Sequence, residues 1–321
     1  MATSTPDTPS TAPGTTEYDR FGPWIDQVRA PEDVPRLFRD HPMHLDGTRL
    51  VLKVPRNVAR RDATPDMDLY DHLLVLDDRG LTVLSRRAGP GEAGFDVRQV
   101  PFTEVAAVRD VVNLLDGRLT VLTRDGRELT VTYNGSGRDA VRGLVDGLRA
   151  GATAARPSPR GRSLLEAGHT RADARALDLG RDDLGVAGDV RDVTRHAPAL
   201  VPWAGHGRRR VTPRAGGVVQ GLLHALSPAT LQAAVLAGDE AALEVFGRHE
   251  WLLRGSKPVH SASRTVVPLG GLDALAVAPH AGYAGVVVAR LAAGSAQVEV
   301  LVPEGSVAHG LLAAAASGAR R

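Results

Sequence analysis

The sequence contains no cysteine and few aromatic residues, and both absences limit what the chain can be. Without cysteine, disulfide bridges, thiolate zinc sites, iron–sulfur clusters and cysteine nucleophiles are excluded. Phe, Trp and Tyr make up 4% of the residues, so Val, Leu and Ala have to fill any core. Lysine occurs only as Lys53 and Lys257, so arginine carries almost all positive charge. We interpret this bias as the coding preference of a GC-rich bacterial genome.

The usual catalytic and phosphate-binding motifs are also missing from the sequence. No serine lies in a G-x-S-x-G or S-x-x-K pattern, and no G-x-x-x-x-G-K-[ST] loop occurs. His249-Glu250 lacks the second histidine of a zinc-protease helix, and His41 and His44 lack a third metal ligand. The sequence therefore predicts no catalytic residue, no cofactor-binding residue, no cofactor and no metal site.

The length and the amino-terminal composition suggest how the chain is organised. A chain of 321 residues corresponds to about two domains. Residues 1–20 are rich in Thr, Ser, Pro and Ala, without the features of a signal peptide, and we expect a disordered tail. Residues 215–238 contain no Asp, Glu, Lys or Arg and are long enough to span a bilayer. However, Gln220, His224 and Pro228 interrupt the apolar stretch. We therefore expect no transmembrane segment.

The chain contains a near repeat. The stretch Val100–Val108 has a counterpart in Val267–Leu275, and each begins Val-Pro followed by an apolar residue. Strand-like runs follow both copies, and a helix then closes each. In the first copy an Asp-Gly turn joins residues 118–123 to 128–133 as a hairpin, and Val141, Leu144, Val145 and Leu148 then form a helical stripe. The repeat predicts two copies of one small β-rich unit.

Between the two copies the composition changes. Residues 151–195 are rich in Arg, Asp, Gly and Ala, which is typical of a linker, and a helical turn is expected near residues 172–179. The sequence therefore predicts a tail over 1–20, a first domain over 21–150, a linker over 151–195 and a second domain over 196–321.

An antiparallel sheet of about seven strands closed by one amphipathic helix resembles the pleckstrin-homology-like (PH-like) superfold in its bacterial versions. Val100–Leu148 and Val267–Ala315 carry this resemblance. It implies an α+β, β-rich fold of two PH-like antiparallel sheets or partly open barrels, each ending in a helix. It also implies a binding or assembly module rather than a catalyst, and it transfers no ligand residues. The basic residues Arg56, Arg60 and Arg61 are offset by nearby aspartates.

Two short segments are candidates for binding. The basic cluster Arg208, Arg209, Arg210 and Arg214 is a candidate contact for anionic groups such as lipid phosphates. Only Trp203 lies near this cluster, so nucleic-acid binding, which uses interleaved aromatics, is not expected. The aromatic segment containing Phe21 and Trp24 is either a docking site for a partner or a cover for an open sheet edge.

Three functional hypotheses remain open at this point. The first is a cytoplasmic, non-enzymatic module that binds a protein or peptide, or self-associates, at a sheet edge or in a groove where the modules join. The second is peripheral association with the inner membrane face through the arginine-rich middle. The third is an enzyme whose site is assembled from both halves, with the residues Asp71, His72, His249 and Glu250.

Overall fold

The structure is a computed structural model that describes residues 17–89, 93–214, 228–254 and 260–318. Within these residues the fold is mixed α+β and rich in β-strands, with several antiparallel sheets, five helices and no closed barrel. The predicted tail lies mostly outside the described residues, which begin at a short helix over Glu17–Arg20. We refer to residues 17–152 as the first half and to residues 197–318 as the second half.

The first half consists of a five-stranded sheet, a three-stranded meander and a helix. Its elements are α1 Glu17–Arg20, β1 Asp26–Gln27, β2 Thr48–Pro55, β3 Tyr70–Asp77, β4 Gly80–Arg86, β5 Phe95–Pro101, β6 Val105–Asn113, β7 Asp116–Thr123, β8 Glu128–Asn134 and α2 Arg138–Ala152. Strands β2 to β5 form an antiparallel meander, and β1 pairs with the outer edge of β2.

The second half repeats this order with insertions. Its elements are β9 Val201–His206, β10 Arg209–Pro213, β11 Ala229–Leu231, β12 Ala234–Gly238, β13 Ala242–Gly247, β14 Leu252–Arg254, β15 Ser261–Pro268, β16 Ala274–Pro279, β17 Tyr283–Ala284, β18 Val286–Ala293, β19 Ala296–Pro303 and α5 Val307–Ser317. Strands β9, β12, β13 and β15 form a four-stranded meander, and β16, β18 and β19 form a three-stranded one. The inserted strands β10, β11, β14 and β17 form a separate small sheet.

The two halves therefore share one sequence of elements, as the near repeat predicts. In both, a four-stranded meander ends at a Val-Pro pair, a 3-10 turn follows, and a three-stranded meander leads into a helix. The turn covers Phe102–Glu104 in the first half and Leu269–Gly271 in the second. Counting from this pair, β5 corresponds to β15 and β6 to β16, with a constant offset between the residue numbers.

The halves are joined through a continuous sheet. Strand β6 of the first half pairs antiparallel with β15 of the second, with Asp110 opposite Arg264 and Val108 opposite Val266. This seam, as we call the β6–β15 pairing, produces one sheet of seven strands in the order β8-β7-β6-β15-β13-β12-β9. The three-stranded meander of one half thus extends the four-stranded meander of the other.

Each half has its own main hydrophobic core, and residues of the seam contribute to the core of the other half, as Ala107 and Val266 do. In the first half, α2 places its predicted stripe of Val141, Leu144, Val145 and Leu148 between the two sheets. In the second half, α5 contributes Leu311 and Leu312 to a core that also contains the fully buried Trp203. Apolar burial of this extent is the main driving force for folding each half.

The segment predicted to be a linker contains two helices, α3 over Pro159–Thr170 and α4 over Leu184–His196. Helix α3 packs on α5, and α4 covers the outer face of the second four-stranded meander with Val186, Ala187, Val190 and Val193. The Arg, Asp and Gly residues of this segment lower its average hydrophobicity, so a composition average does not show the apolar stripes of the two helices. The domain boundaries at 151 and 195 stay a prediction.

Candidate functional site

A large open cleft lies where the two halves meet. Its volume is about 1050 Å³, and residues from β6, β7, β8, β13, β15 and β19 line it. The outer face of the three-stranded meander of the first half forms its floor, and the Gln297–Val300 segment of β19 forms part of its wall. The cleft therefore exists because of the seam, since neither half supplies all of these strands.

The floor of the cleft consists of aligned rows of side chains from successive strands. One row runs across the seam and contains Thr130, Thr120, Arg109, Thr265 and Val245. Because successive residues of a strand point to opposite faces, Arg109 faces the cleft while its neighbours Val108 and Asp110 are buried beneath it. The floor thus presents both hydroxyl groups and apolar side chains.

Two arginines lie close together on this floor. Arg118 of β7 is opposite Val111, and Arg109 is opposite Thr120, so the two guanidinium groups are diagonal neighbours. Enclosure by the cleft lowers the pKa of Arg109, the positive charge of Arg118 lowers it further, and Glu128 raises it. The side chain of Arg109 donates one hydrogen bond, from Nη2 to the His249 carbonyl oxygen at 3.0 Å. Among the described residues, neither arginine has an acidic partner within ion-pair distance.

His249 and Ser261 form a hydrogen-bonded pair at one side of the cleft. The His249 Nδ1 atom is 2.9 Å from the Ser261 Oγ atom, which also accepts a bond from the His249 backbone N–H. Nucleophilic catalysis by serine needs such a pair, but it also needs an accessible hydroxyl group. Ser261 is buried, so this pair fixes the end of β13 against β15.

The residues of the enzyme hypothesis are only partly brought together. Asp71, His249 and Glu250 line the cleft, whereas His72 does not. The Asp71 carboxylate is bound by Arg86 at 2.7 Å, and the His72 ring contacts the Ser85 hydroxyl at 2.9 Å. Burial lowers the pKa of His72. The described residues contain no group of three His, Asp or Glu side chains arranged to hold a metal ion.

The predicted basic cluster is divided by the structure. Arg208 forms ion pairs with Asp182 and the buried Asp183, and Arg214 donates to the carbonyl oxygens of His280 and Tyr283. Arg209 and Arg210 are exposed on β10, and as successive strand residues they point to opposite faces. The four arginines do not converge on one anion, and their role in anion contact stays a prediction.

The aromatic segment at the start of the first half has one buried and one exposed member. Phe21 is buried and its ring meets that of Tyr70 edge to face, with centroids 6.1 Å apart. Trp24 is 58% exposed, and the next residues form β1 at the sheet edge. Pro23 also reaches the rim of the cleft. Docking of a partner to Phe21 and Trp24 stays a prediction.

A buried charge network holds the two halves together beside the seam. Glu244, which is 0% exposed, accepts bonds from Arg264 at 2.7 Å and from Arg149 of α2 at 2.7 Å. Arg264 also binds Asp146 of α2 at 2.6 Å, and Arg149 binds Asp239. A buried ion pair is costly unless every charge has partners, and here each of the two arginines pairs with two acidic residues.

Sequence reasoning missed both the cleft and the network. The alternation of Arg109 with buried neighbours was visible in the sequence, but which strand lies beside β6 was not.

Among the described helices, none combines the length and the apolar character needed to cross a membrane. Residues 215–227 of the stretch tested for a membrane span lie outside the described residues, and the remainder forms β11 and β12. Comparison of the chain with models of protein families, with curated proteins and with solved structures found no match.

Proposed function

We propose that the chain is a non-enzymatic binding module that holds an extended peptide segment of a protein partner in the cleft at the seam. The observation that carries this proposal is the cleft itself, about 1050 Å³ in volume and built jointly by the two halves. Peptides are recognised by sheets and grooves that offer hydrogen bonds along the backbone and separate contacts for side chains. The cleft floor offers hydroxyl groups from Thr120, Thr132 and Thr265 together with apolar contacts from Val111 and Val245.

The shared order of elements supports a PH-like architecture for each half. Each half has a four-stranded meander, a three-stranded meander and one closing helix, which is the order expected of such a module. PH-like modules are binding or assembly units, which agrees with a polar cleft whose histidine and serine serve structure. The proposed compartment is the cytoplasm, where a chain without cysteine loses nothing to the reducing environment.

The charges on the cleft floor indicate which peptides bind best. Within the part of the chain that the structure describes, Arg109 and Arg118 lie side by side with no carboxylate at ion-pair distance. The charge of Arg118 disfavours that of Arg109, and Glu128 only partly offsets this repulsion. A carboxylate accepts hydrogen bonds from two guanidinium groups at once and removes this repulsion. We therefore expect the bound segment to carry an acidic side chain.

The proposal is tested with a displayed library of random peptides selected against the wild-type protein. Acidic sequences should be enriched, and the selected peptides should bind the Thr265→Trp variant at least about tenfold more weakly, because the indole fills the cleft floor. Thr212→Trp, on the exposed face of β10, is the matched control and should bind as the wild type does. Failure to enrich any peptide, or equal binding to both variants, would refute the proposal.

Two charge variants separate specific from general attraction. Arg109→Gln/Arg118→Gln and Arg209→Gln/Arg210→Gln remove the same net charge from different surfaces. Only the first pair should weaken binding of the selected acidic peptides, again by about tenfold or more. An equal loss in both would point to the exposed arginines of β10 or to nonspecific attraction.

A further inference from the structure

The seam provides a template for how copies of this chain associate. It joins the outer edge of β6, the first strand of a three-stranded meander, to the outer edge of β15, the last strand of a four-stranded meander. Because the two halves repeat the same elements, each contains both kinds of edge. The seam uses the β6 edge of the first half and the β15 edge of the second.

The two complementary edges are left unpaired in the described residues. Strand β5 corresponds to β15 and ends the five-stranded sheet, and β16 corresponds to β6 and ends the sheet β16-β18-β19. Four consecutive residues of β5, Asp96–Gln99, are exposed. Strand β16 reads Ala-Leu-Ala-Val-Ala-Pro, without a charged side chain. Proteins usually protect free edges with charges. Strand β5 carries Asp96 and Arg98, so it is the uncharged β16 edge that lacks this protection.

The residues that would meet across these edges are complementary. At the seam, Arg264 lies opposite Asp110. The same register applied to the free edges places Val97 of β5 opposite Val277 of β16. Val97 is 44% exposed, and Val277 is half-buried. A buried polar pair at the seam thus corresponds to an apolar pair at the free edges, and apolar cross-strand pairs stabilise sheets.

We propose that copies of this chain associate head to tail, with β5 of one copy paired antiparallel to β16 of the next in the register of the seam. Such an interface is heterologous, because it joins two different surfaces. Each added copy leaves one free β5 edge and one free β16 edge. The assembly therefore grows as a filament or closes as a ring, and it continues the alternation of meanders already present within one chain.

The test measures the mass of the full chain in solution over a concentration series by light scattering. The wild type should form species larger than a dimer as the concentration rises. Val97→Lys places a charge in the β5 edge, and Ala276→Arg places one in β16 opposite Arg98. Each variant alone should remain monomeric, and an equimolar mixture should form dimers and nothing larger, because each variant retains one intact edge.

The controls and the contrary outcomes are defined by the same geometry. Val201→Lys, on the exposed valine of β9 at the other end of the seven-stranded sheet, should assemble as the wild type does, as should Ala281→Arg in a turn. Circular dichroism melting of each variant establishes that it is folded. A wild type that stays monomeric at all concentrations overturns the proposal. Self-association of either single variant also overturns it, because pairing of like edges would then be responsible.

Discussion

The first and second halves have the same order of strands but cover their four-stranded meanders differently. In the first half, irregular chain before β2 and between β2 and β3 covers the outer face, through Phe21, Val28, Val34, Phe38 and Ala63. In the second half, the regular helix α4 covers the corresponding face. The repeated unit is therefore the pair of meanders with its closing helix. The segment that covers the outer face of the four-stranded meander is not part of the repeat and differs between the halves.

The interiors of the halves also reach similar packing with different residues. Trp203 lies in a β-bulge of β9, where Ala204 pairs with Leu236 and Pro202 pairs with Ala237. Its indole occupies space left by Gly168 and Gly238, where an added methyl group would come within 2.5 Å and 2.0 Å of the ring. Gly238 corresponds to Leu76 of the first half. Gly238 pairs with Leu243 and Leu76 pairs with Leu81, and these two leucines occupy equivalent positions in the halves. One large side chain thus replaces several medium ones.

The largest difference between the halves is a buried charge in the second half, and removing that charge should have the largest effect on stability. Glu244 corresponds to Thr82 of the first half, yet it is fully buried between two arginines. Glu244→Gln leaves Arg149 and Arg264 buried with one counter-charge fewer, so urea unfolding should show a loss of about 3–5 kcal/mol. Glu250→Gln at the cleft rim should change stability by less than about 0.5 kcal/mol. A small effect of Glu244→Gln would mean that the seam does not depend on the network.

The next largest effect is a response to acid that originates in the second half. Burial lowers the pKa of His206 to about 4, well below its ordinary value of 6.5. As the pH falls, the unfolded chain therefore binds a proton at this histidine before the folded chain does. The contribution of His206 to the free energy of unfolding is fully present above pH 6.5 and is lost as the pH falls toward 4. The expected loss is about 3 kcal/mol. Urea titrations at several pH values should show this slope in the wild type and a shallower one in His206→Gln.

The first half contributes to the same slope, and a second variant separates its part. His72 is also buried with a lowered pKa, so His72→Gln removes the contribution of the first half alone. If His206→Gln and His72→Gln leave the wild-type slope unchanged, the acid response arises elsewhere.

The smallest effect concerns the turn between the first two strands of the three-stranded meander. In the first half, Leu114 and Leu115 form a two-residue turn in which Leu114 has a φ of +57° and is 70% exposed. The longer connection in the second half uses Gly285, with a φ of +71°, instead. Leu114→Gly should stabilise the protein by about 1 kcal/mol in urea unfolding, because glycine adopts this conformation without strain. Leu115→Gly should not stabilise it, and a gain there would contradict the assigned turn.

Much of the fold could be predicted from the repeat and from local patterns. The near repeat located the corresponding elements of the two halves, the Asp-Gly turn located the β7–β8 hairpin, and the stripe from Val141 to Leu148 located α2. These features depend on neighbours in the sequence, so periodicity and turn chemistry are sufficient to find them. The strand-like runs expected after the second copy correspond to β17 with β18 and to β19, and the helix expected to close that copy corresponds to α5.

Helices α3 and α4 and the candidate site could not be predicted in the same way. Helix α3 buries Gly161 and Gly168 along with Leu164, so small residues, rather than a strong apolar stripe, bring it close to the second half. The cleft depends on which strand lies beside β6, and alternation within β6 does not specify its partner. Arg109 and Arg118 acquire significance only once the seam places them at the bottom of a cleft.

The seam also has a consequence for the order in which the chain matures during synthesis. Strand β6 ends at residue 113, whereas its partner β15 begins at residue 261. At about 5–20 residues per second, a ribosome needs roughly 7–30 s to supply the missing strand. Until then the chain has no β15 of its own, so β6 acquires its edge partner only after the four-stranded meander of the second half has been made.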